Sequence, residues 1–344
     1  MKKRVLLLLI TTVCTTSLFA QAGKDTYQFL NLPTSARTAA LGGTNVSLFD
    51  NDLNLAFNNP ALLTDKTNNV FSLNYVSYLA DINFGSVAYG RSFGKNNHMM
   101  FGMHYIDYGT FLGTDETDQL TGNFTAKDFA LNIMYARTLP LGFTVGATFK
   151  PIYSVYERYS SFGVAFDLGA SYHNDSVGFS AGLSLRNAGW QFTGYYSIDG
   201  AQHRETLPLD LELGISQKLK HAPIRFSLTL HNLQQWDLSY QQSASVNTDN
   251  TISSEVPWYD MMFRHTVWAV EILPSKNMYL TVSYNHRRRK EMNVTDWKTA
   301  AGFAFGAGIH IYKFNVGFSL VPYQVGNLSY HVTLSTALTD FGVK

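Results

Sequence analysis

Val177-Gly178-Phe179-Ser180-Ala181-Gly182-Leu183-Ser184-Leu185-Arg186 alternates strictly, with every odd position apolar and every even one small or polar. Successive side chains of a β-strand point to opposite faces, so this segment has one greasy face and one face suited to water or tight packing. The pattern recurs. Phe314, Val316, Phe318 and Leu320 alternate with Asn315, Gly317 and Ser319. Phe162, Val164, Phe166, Leu168, Ala170 and Tyr172 alternate with Gly163, Ala165, Asp167, Gly169 and Ser171. Reading outward from these rows gives fourteen strands, at 69–78, 83–93, 97–107, 125–137, 141–153, 159–173, 176–187, 207–219, 224–232, 263–273, 277–287, 299–311, 314–322 and 327–338.

Every second connection is tight: 94–96, 139–140, 174–175, 220–223, 274–276 and 312–313. Those between are mostly longer, notably 108–124, 188–206, 233–262 and 288–298, although 79–82 and 323–326 are short. An even strand number with short turns on one side and longer loops on the other is the layout of an outer-membrane barrel. Secreted sandwiches and propellers also alternate, but strands of globular sheets commonly run five or six residues. Strands of about nine to eleven residues or more match a tilted crossing of a bilayer. Tyr75, Tyr78, Tyr105, Tyr108, Tyr153, Tyr156, Tyr172, Tyr284 and Tyr323 fall near strand ends and are expected in girdles at the headgroup level.

Composition agrees. Of 344 residues, 26 are Lys or Arg and 25 Asp or Glu, a formal charge of +1 that offers no overall attraction to nucleic acid. Aromatic residues reach 14% and charged ones only 15%, against roughly 25% in ordinary soluble domains. A length of 344 residues suggests two domains at about 150 each, but all-β barrels routinely run longer as one unit.

The start, Met1-Lys2-Lys3-Arg4 with an apolar run from Val5 to Ile10 and a small-residue end at Leu18-Phe19-Ala20-Gln21-Ala22, has the layout of a signal peptide over 1–20. Cleavage after Ala20 or Ala22 fits. Cys14, the one cysteine, lies inside this segment, so the exported chain is expected to lack disulfides, thiolate-held metals and thiol catalysis. No later stretch approaches the length of apolar residues that a membrane-spanning helix needs. A closed barrel can still span.

Residues 21–68 read differently. Ser35-Ala36-Arg37-Thr38-Ala39-Ala40-Leu41-Gly42-Gly43 is small and Gly-bearing, and 50–67 is rich in Asn, Asp and Pro, without sustained alternation. About eight strands are the most whose own side chains can fill a barrel, so a fourteen-stranded one needs a plug, and 21–68 is the economical choice, leaving 69–344 for the barrel.

The stretch 32–46, followed by Ala56-Phe57-Asn58-Asn59-Pro60-Ala61-Leu62-Leu63, resembles the start of fatty-acid-transporter-like barrels, whose Asn-Pro-Ala motif lies in an N-terminal hatch. Within that superfamily the chain resembles most the PorQ family, outer-membrane proteins of the type IX secretion system of Bacteroidetes, related to PorV. Supporting stretches are His104-Tyr105-Ile106-Asp107-Tyr108-Gly109, Ser160-Ser161-Phe162-Gly163-Val164-Ala165-Phe166-Asp167-Leu168-Gly169, Leu183-Ser184-Leu185-Arg186-Asn187-Ala188-Gly189 and Ile224-Arg225-Phe226-Ser227-Leu228-Thr229-Leu230. Outer-membrane barrels often end on an aromatic residue, and this chain departs from that with Phe341-Gly342-Val343-Lys344. The resemblance implies Asn59, Pro60 and Ala61 as the hatch motif and a non-catalytic anchoring subunit of the attachment complex. In that role it holds a PorZ-like surface protein beside PorU-like and PorV-like members while cargo is joined to lipopolysaccharide. The same resemblance admits a channel for a hydrophobic small molecule, with the hatch as its gate.

No nucleophile motif, phosphate loop or zinc-ligand spacing appears, so neither an enzyme nor a cofactor is expected. Histidines such as His104, His231, His286, His310 and His331 fall singly, as lumen or girdle residues would. Asp167, Asp210 and Glu212 are expected to point into the lumen. Arg287-Arg288-Arg289-Lys290 opens a long external loop and is a candidate contact for lipopolysaccharide phosphates, since arginine forks match phosphate geometry; a solvated loop tip is the plainer account. Trp236, Tyr240, Trp258 and Tyr259, around the polar stretch 241–255, are the candidate partner-binding surface, because Trp and Tyr dominate interface hot spots; a loop folded over the barrel mouth is the alternative.

Overall fold

The computed structural model describes residues 25–115, 117, 119–198, 200–238, 256–292, 300–324 and 327–342. The expected signal segment and Tyr240 lie outside these residues. Fourteen strands close into one antiparallel barrel: β1 Val70–Ser77, β2 Asn83–Phe93, β3 Asn97–Thr114, β4 Leu120–Thr138, β5 Phe143–Tyr156, β6 Tyr159–Asn174, β7 Phe179–Thr193, β8 Asp210–Lys218, β9 Ile224–Leu230, β10 Thr266–Ser275, β11 Met278–Asn285, β12 Phe303–Ile311, β13 Phe314–Gln324 and β14 Asn327–Ala337. Each pairs with its neighbours in sequence, and β1 pairs with β14 from Val70 opposite Ala337 to Ser77 opposite Tyr330. Closure leaves no free sheet edge, which removes the unpaired backbone groups that lipid could not satisfy.

The barrel is inside out relative to a soluble protein. Leu183, Phe305 and Leu334 lie 42–47% exposed on the outside, while their neighbours Ser184 and Ala304 are fully buried in the lumen. Asn74, Asn132, Thr148, Glu212, Glu271 and His331 share that inner face. An apolar band encircling the whole barrel is the surface of a transmembrane barrel, with polar rows inside. Among the described residues, no helix is long and apolar enough to cross a membrane.

Several strand ends and tyrosines differ from expectation: β7 runs to Thr193, into the connection expected at 188–206, and the strand expected to reach 287 stops at Asn285. The connection expected at 108–124 is largely strand, since β3 and β4 continue as a hairpin to Thr114 and Leu120. Its upper residues are exposed on both faces, so no buried side imposes alternation there, and a register shift between Asp107 and Thr110 marks where the pattern lapses. Of the expected girdle tyrosines, Tyr75 and Tyr153 face outward, but Tyr78, Tyr108, Tyr156 and Tyr323 turn inward. Tyr108 and Tyr156 donate to the lumen carboxylate of Asp128 at 2.7 and 2.9 Å, a partner that the lipid side does not offer.

Residues 25–69 fill the lumen. Thr26 N donates to Thr206 O at 2.9 Å at the end with the long loops, and Leu338 N donates to Asn69 O at 2.7 Å at the end with the short turns, so the segment threads the barrel from loop end to turn end. Its one α-helix, α1 Ala36–Ala40, is capped by the Ser35 side chain accepting from Thr38 N. Leu41, Val46 and Leu48 are wholly buried, and Leu53 and Leu55 nearly so.

Candidate functional site

The lumen segment 25–69, called the hatch for its place in the barrel, turns at Asn59-Pro60-Ala61 through local hydrogen bonding. Asn59 Oδ1 accepts from Ala61 N at 3.0 Å, and Pro60 supplies a fixed φ at the first position of the short turn, so the triplet forms one rigid corner. Asn59 Nδ2 donates to Val46 O at 2.8 Å within the hatch and to Ala170 O of β6 at 3.3 Å. Ser171 Oγ donates to Ala61 O at 2.8 Å, and Ser184 Oγ to Asn58 O at 2.9 Å.

The barrel meets this corner with glycine. A Cβ on Gly146 would lie 2.8 Å from Pro60 C, one on Gly169 2.0 Å from Asn59 Oδ1, and one on Gly182 1.8 Å from Val46 O. On Gly214 it would meet Val46 Cγ2 at 2.9 Å. Gly146 pairs with Gly169 across β5 and β6, and Gly182 with Gly214 across β7 and β8, so the four form a smooth seat over adjacent strands.

Charged groups hold the hatch at two levels. Toward the loop end, Arg186 Nη1 meets Glu212 Oε1 at 3.1 Å and Nη2 donates to Leu30 O at 3.1 Å, while Thr44 Oγ1 donates to Glu212 Oε2 at 2.7 Å. Toward the turn end, Arg37 and Arg225 share Asp50 and Glu271, with Arg37 Nη2 to Asp50 Oδ2 at 2.8 Å and Arg225 Nε to Glu271 Oε2 at 2.7 Å. A cavity of about 1000 Å³ opens below this latch, lined by Asp50, Lys218, Arg225 and Tyr279 among others. A second, of about 740 Å³, opens at the loop end between Arg186, Asp210, Asn232 and Arg287. The hatch fills the lumen between them. Asp167, Asp210 and Glu212 all face inward, and Asp167 meets Lys150 at 2.6 Å.

The basic run is a short helix, α3 His286–Glu291, tied into the loop end. Arg287 bonds Glu291 at 2.7 Å and Asn232 at 2.9 Å. Arg288 donates to Gly42 O of the hatch at 3.2 Å and stacks over Tyr323 at 5.1 Å. Arg289 Nη1 donates to Ala301 O at 3.5 Å, and Lys290 meets Asp260 at 3.0 Å. Asp260 belongs to α2 Trp258–Arg264. Burial pushes its carboxyl upward, but hydrogen bonds from His286, Lys290 and Arg264 outweigh that and hold it at about 2. Trp258 and Tyr259 stand 70% and 55% exposed on the same helix, and Trp236 60% exposed while stacking on His265. The structure thus brings Trp258, Tyr259 and the basic run to one end of the barrel and leaves Asn59, Pro60 and Ala61 deep in its lumen. Among the described residues, no group of three or more His, Asp or Glu is arranged to hold a metal.

Sequence reasoning missed the glycine seat and the turn-end latch. Each left a signal: glycines on the lumen rows of consecutive strands, and single charges, Arg225 and Glu271, on the polar row of otherwise apolar-faced strands.

No family model matches this chain, and no curated protein matches it. Solved structures do. The toluene transporter TbuX of Ralstonia pickettii aligns over 89% of this chain and 99% of its own, at 12% identity and a TM-score of 0.53. The TodX monoaromatic hydrocarbon channel, as its deltaS2 mutant, aligns over 89% and 97%, at 13% identity and 0.55. The CymD monoaromatic hydrocarbon channel aligns over 89% and 96%, at 12% identity and 0.53. At these identities the likeness establishes the fold.

Proposed function

We propose that this chain is a non-enzymic outer-membrane channel that carries a hydrophobic small molecule past a movable hatch. The observation that carries this reading is the end-to-end likeness to hydrocarbon channels, across 89% of this chain and 96–99% of theirs. The apolar outer band supports membrane residence, with residues 1–20 as the export signal. The long loops then face outward and the short turns face the periplasm. Charged side chains line both cavities and the hatch fills the space between, so passage needs the hatch to shift. At the loop end such a shift would uncover an apolar cluster for a solute, where Tyr27, Phe29 and Leu30 of the hatch pack on Val76, Phe84, Ile106 and Ile152.

The test uses cells that carry the chain in their outer membrane and measures toluene uptake against cells without it. A Cβ on Gly317 would lie 3.6 Å from Ala36 Cβ, within disulfide range, so Ala36→Cys/Gly317→Cys can pin α1 to β13. Uptake is expected to exceed the control, to fall when that disulfide is closed and to return on reduction. No gain over control cells would refute the channel.

A second reading rests on a separate observation, the exposure of Trp236, Trp258 and Tyr259 at the outward end. Such rings suit a protein interface and support an anchoring subunit of the type IX attachment complex, holding a PorZ-like surface protein beside PorU-like and PorV-like partners near lipopolysaccharide. In that role Arg287, Arg289 and Lys290 of the basic run would lie toward lipopolysaccharide, while Arg288 is turned inward to Gly42 O. Mild-detergent purification from native membranes followed by native mass spectrometry separates the two. A surface protein held near one to one supports anchoring, and an isolated barrel carrying a lipid or hydrocarbon supports transport.

A further inference from the structure

The turn-end latch has the form of a ligand site that is already filled. Arg37 from α1 and Arg225 from β9 have side chains only 7% and 9% exposed, and both aim at one oxygen, Asp50 Oδ2, at 2.8 and 3.0 Å. On the barrel side both also meet Glu271, Arg37 Nη2 at 3.2 Å and Arg225 Nε at 2.7 Å. Asp52 of the hatch lies 3.8 Å from Arg37 Nη1 as well, while Asp50 and Glu271, which both arginines share, differ in mobility of attachment and in access. Glu271 is 1% exposed and fixed in β10, whereas Asp50 rides on the hatch and is 32% exposed toward the cavity. Glu271 therefore sets the spacing of the two guanidinium forks, and Arg37 is further held by stacking over Tyr279 at 4.6 Å. Exposed Lys66, Lys218, Lys220 and Lys276 line the cavity and outnumber the exposed carboxylate of Asp175, a local excess of positive charge that draws anions to its entrance. A volume of about 1000 Å³ suits a small solute.

We propose that Arg37 and Arg225 form an oxyanion site, for the carboxylate or phosphate of a small solute entering from the turn end, which Asp50 occupies as an internal substitute while the hatch is seated. The release step rests on the reading of the hatch as movable. An entering monoanion replaces one carboxylate by another, so the buried guanidiniums stay paired throughout. What is lost is the tie between hatch and barrel that Asp50 makes.

The test is titration calorimetry of the full-length chain in detergent with inorganic phosphate and, separately, acetate, at constant ionic strength set with chloride. Asp50→Ala removes the carboxylate that Arg37 Nη2 and Arg225 Nη2 share, leaving Glu271 and Asp52 in place, and is expected to bind one of the probes at a single site at least about tenfold more tightly than wild type. Arg225→Gln added to that variant is expected to abolish binding. No binding by Asp50→Ala, equal binding by wild type, or binding indifferent to Arg225→Gln would each overturn the site. The stronger arm tells a phosphate-bearing solute from a carboxylate-bearing one. Should Asp50→Ala not form a barrel by gel mobility, Asp50→Asn replaces it with the same expected order. Release is read separately, by maleimide labelling of wholly buried Ser47, as Ser47→Cys in a Cys14→Ser chain with the latch intact. Labelling several-fold faster in saturating probe than in equal chloride is expected, and an unchanged rate overturns release alone. A chain that binds the probe yet takes up no toluene keeps the site and defeats the channel, so the two readings fail apart.

Discussion

Replacing Gly182 by alanine tests whether the glycine seat holds the hatch. The new Cβ would sit 1.8 Å from Val46 O, whereas ordinary contact begins near 3.4 Å, so the carbonyl must retreat by about 1.6 Å. Val46 O accepts the 2.8 Å bond from Asn59 Nδ2, and that retreat breaks it inside a sealed lumen. Overpacking costs about 1–3 kcal/mol, and a buried acceptor left without its donor about 1–3 more, a total of about 2–6 kcal/mol against the seated hatch. The barrel ladder is untouched, because Gly182 keeps its strand backbone and only its lumen face changes. Maleimide labelling of Ser47→Cys, next to Val46, in a Cys14→Ser background reports the open fraction. The lower bound of about 2 kcal/mol corresponds to roughly a 25-fold faster rate. Gly113→Ala is the control, since its Cβ would meet the side chain of Thr121 at 2.7 Å, the backbone of Gly122 at 3.2 Å and the Phe124 ring at 3.8 Å, none of them part of the hatch. A Gly182→Ala rate matching that of Gly113→Ala, with both barrels folded, would refute the seat.

Lys150→Ala leaves Asp167, 1% exposed, without its 2.6 Å partner, and is expected to cost about 3–5 kcal/mol, read as a lower temperature for loss of the compact band on gels. The ties of α2 to α3 should be acid-labile: the Asp260 carboxyl, at about 2, lies below its ordinary value near 4, so its stabilisation is complete above about pH 4 and is lost as pH falls through about 2. Pepsin cleavage within 256–292 should rise over that window, and in Asp260→Asn it should be high and flat across it. Trp258→Ala, truncating a 70%-exposed side chain, should leave barrel formation unchanged within about 0.5 kcal/mol while reducing capture of a surface protein if anchoring operates, as measured by purification from native membranes.

What could be read without coordinates follows the lipid. Wherever a strand crosses the bilayer, one face must be apolar and the other must not, so Leu183, Ser184 and Leu185 declare their orientation by type alone, and the strand number and sidedness follow. The strand number led to the expectation of a plug, and the family resemblance to that of Asn59-Pro60-Ala61 as a hatch motif. Where lipid stops the pattern stops, and the upper β3 and β4 hairpin and the inward Tyr108 and Tyr156 could not be placed.

The sequence by itself determined a transmembrane barrel, because a two-residue period under a single solvent constraint is local information. Only the tertiary structure decided how the hatch is held, because that depends on contacts between residues far apart in the chain. Asp50 meets Arg225 across 175 positions, Arg37 meets Glu271 across 234, and Asn59 reaches Ala170 across 111. Nothing local distinguishes Gly182, which bears the hatch, from Gly113, which bears nothing of it. The difference is what the folded chain places 1.8 Å from an atom that is not there.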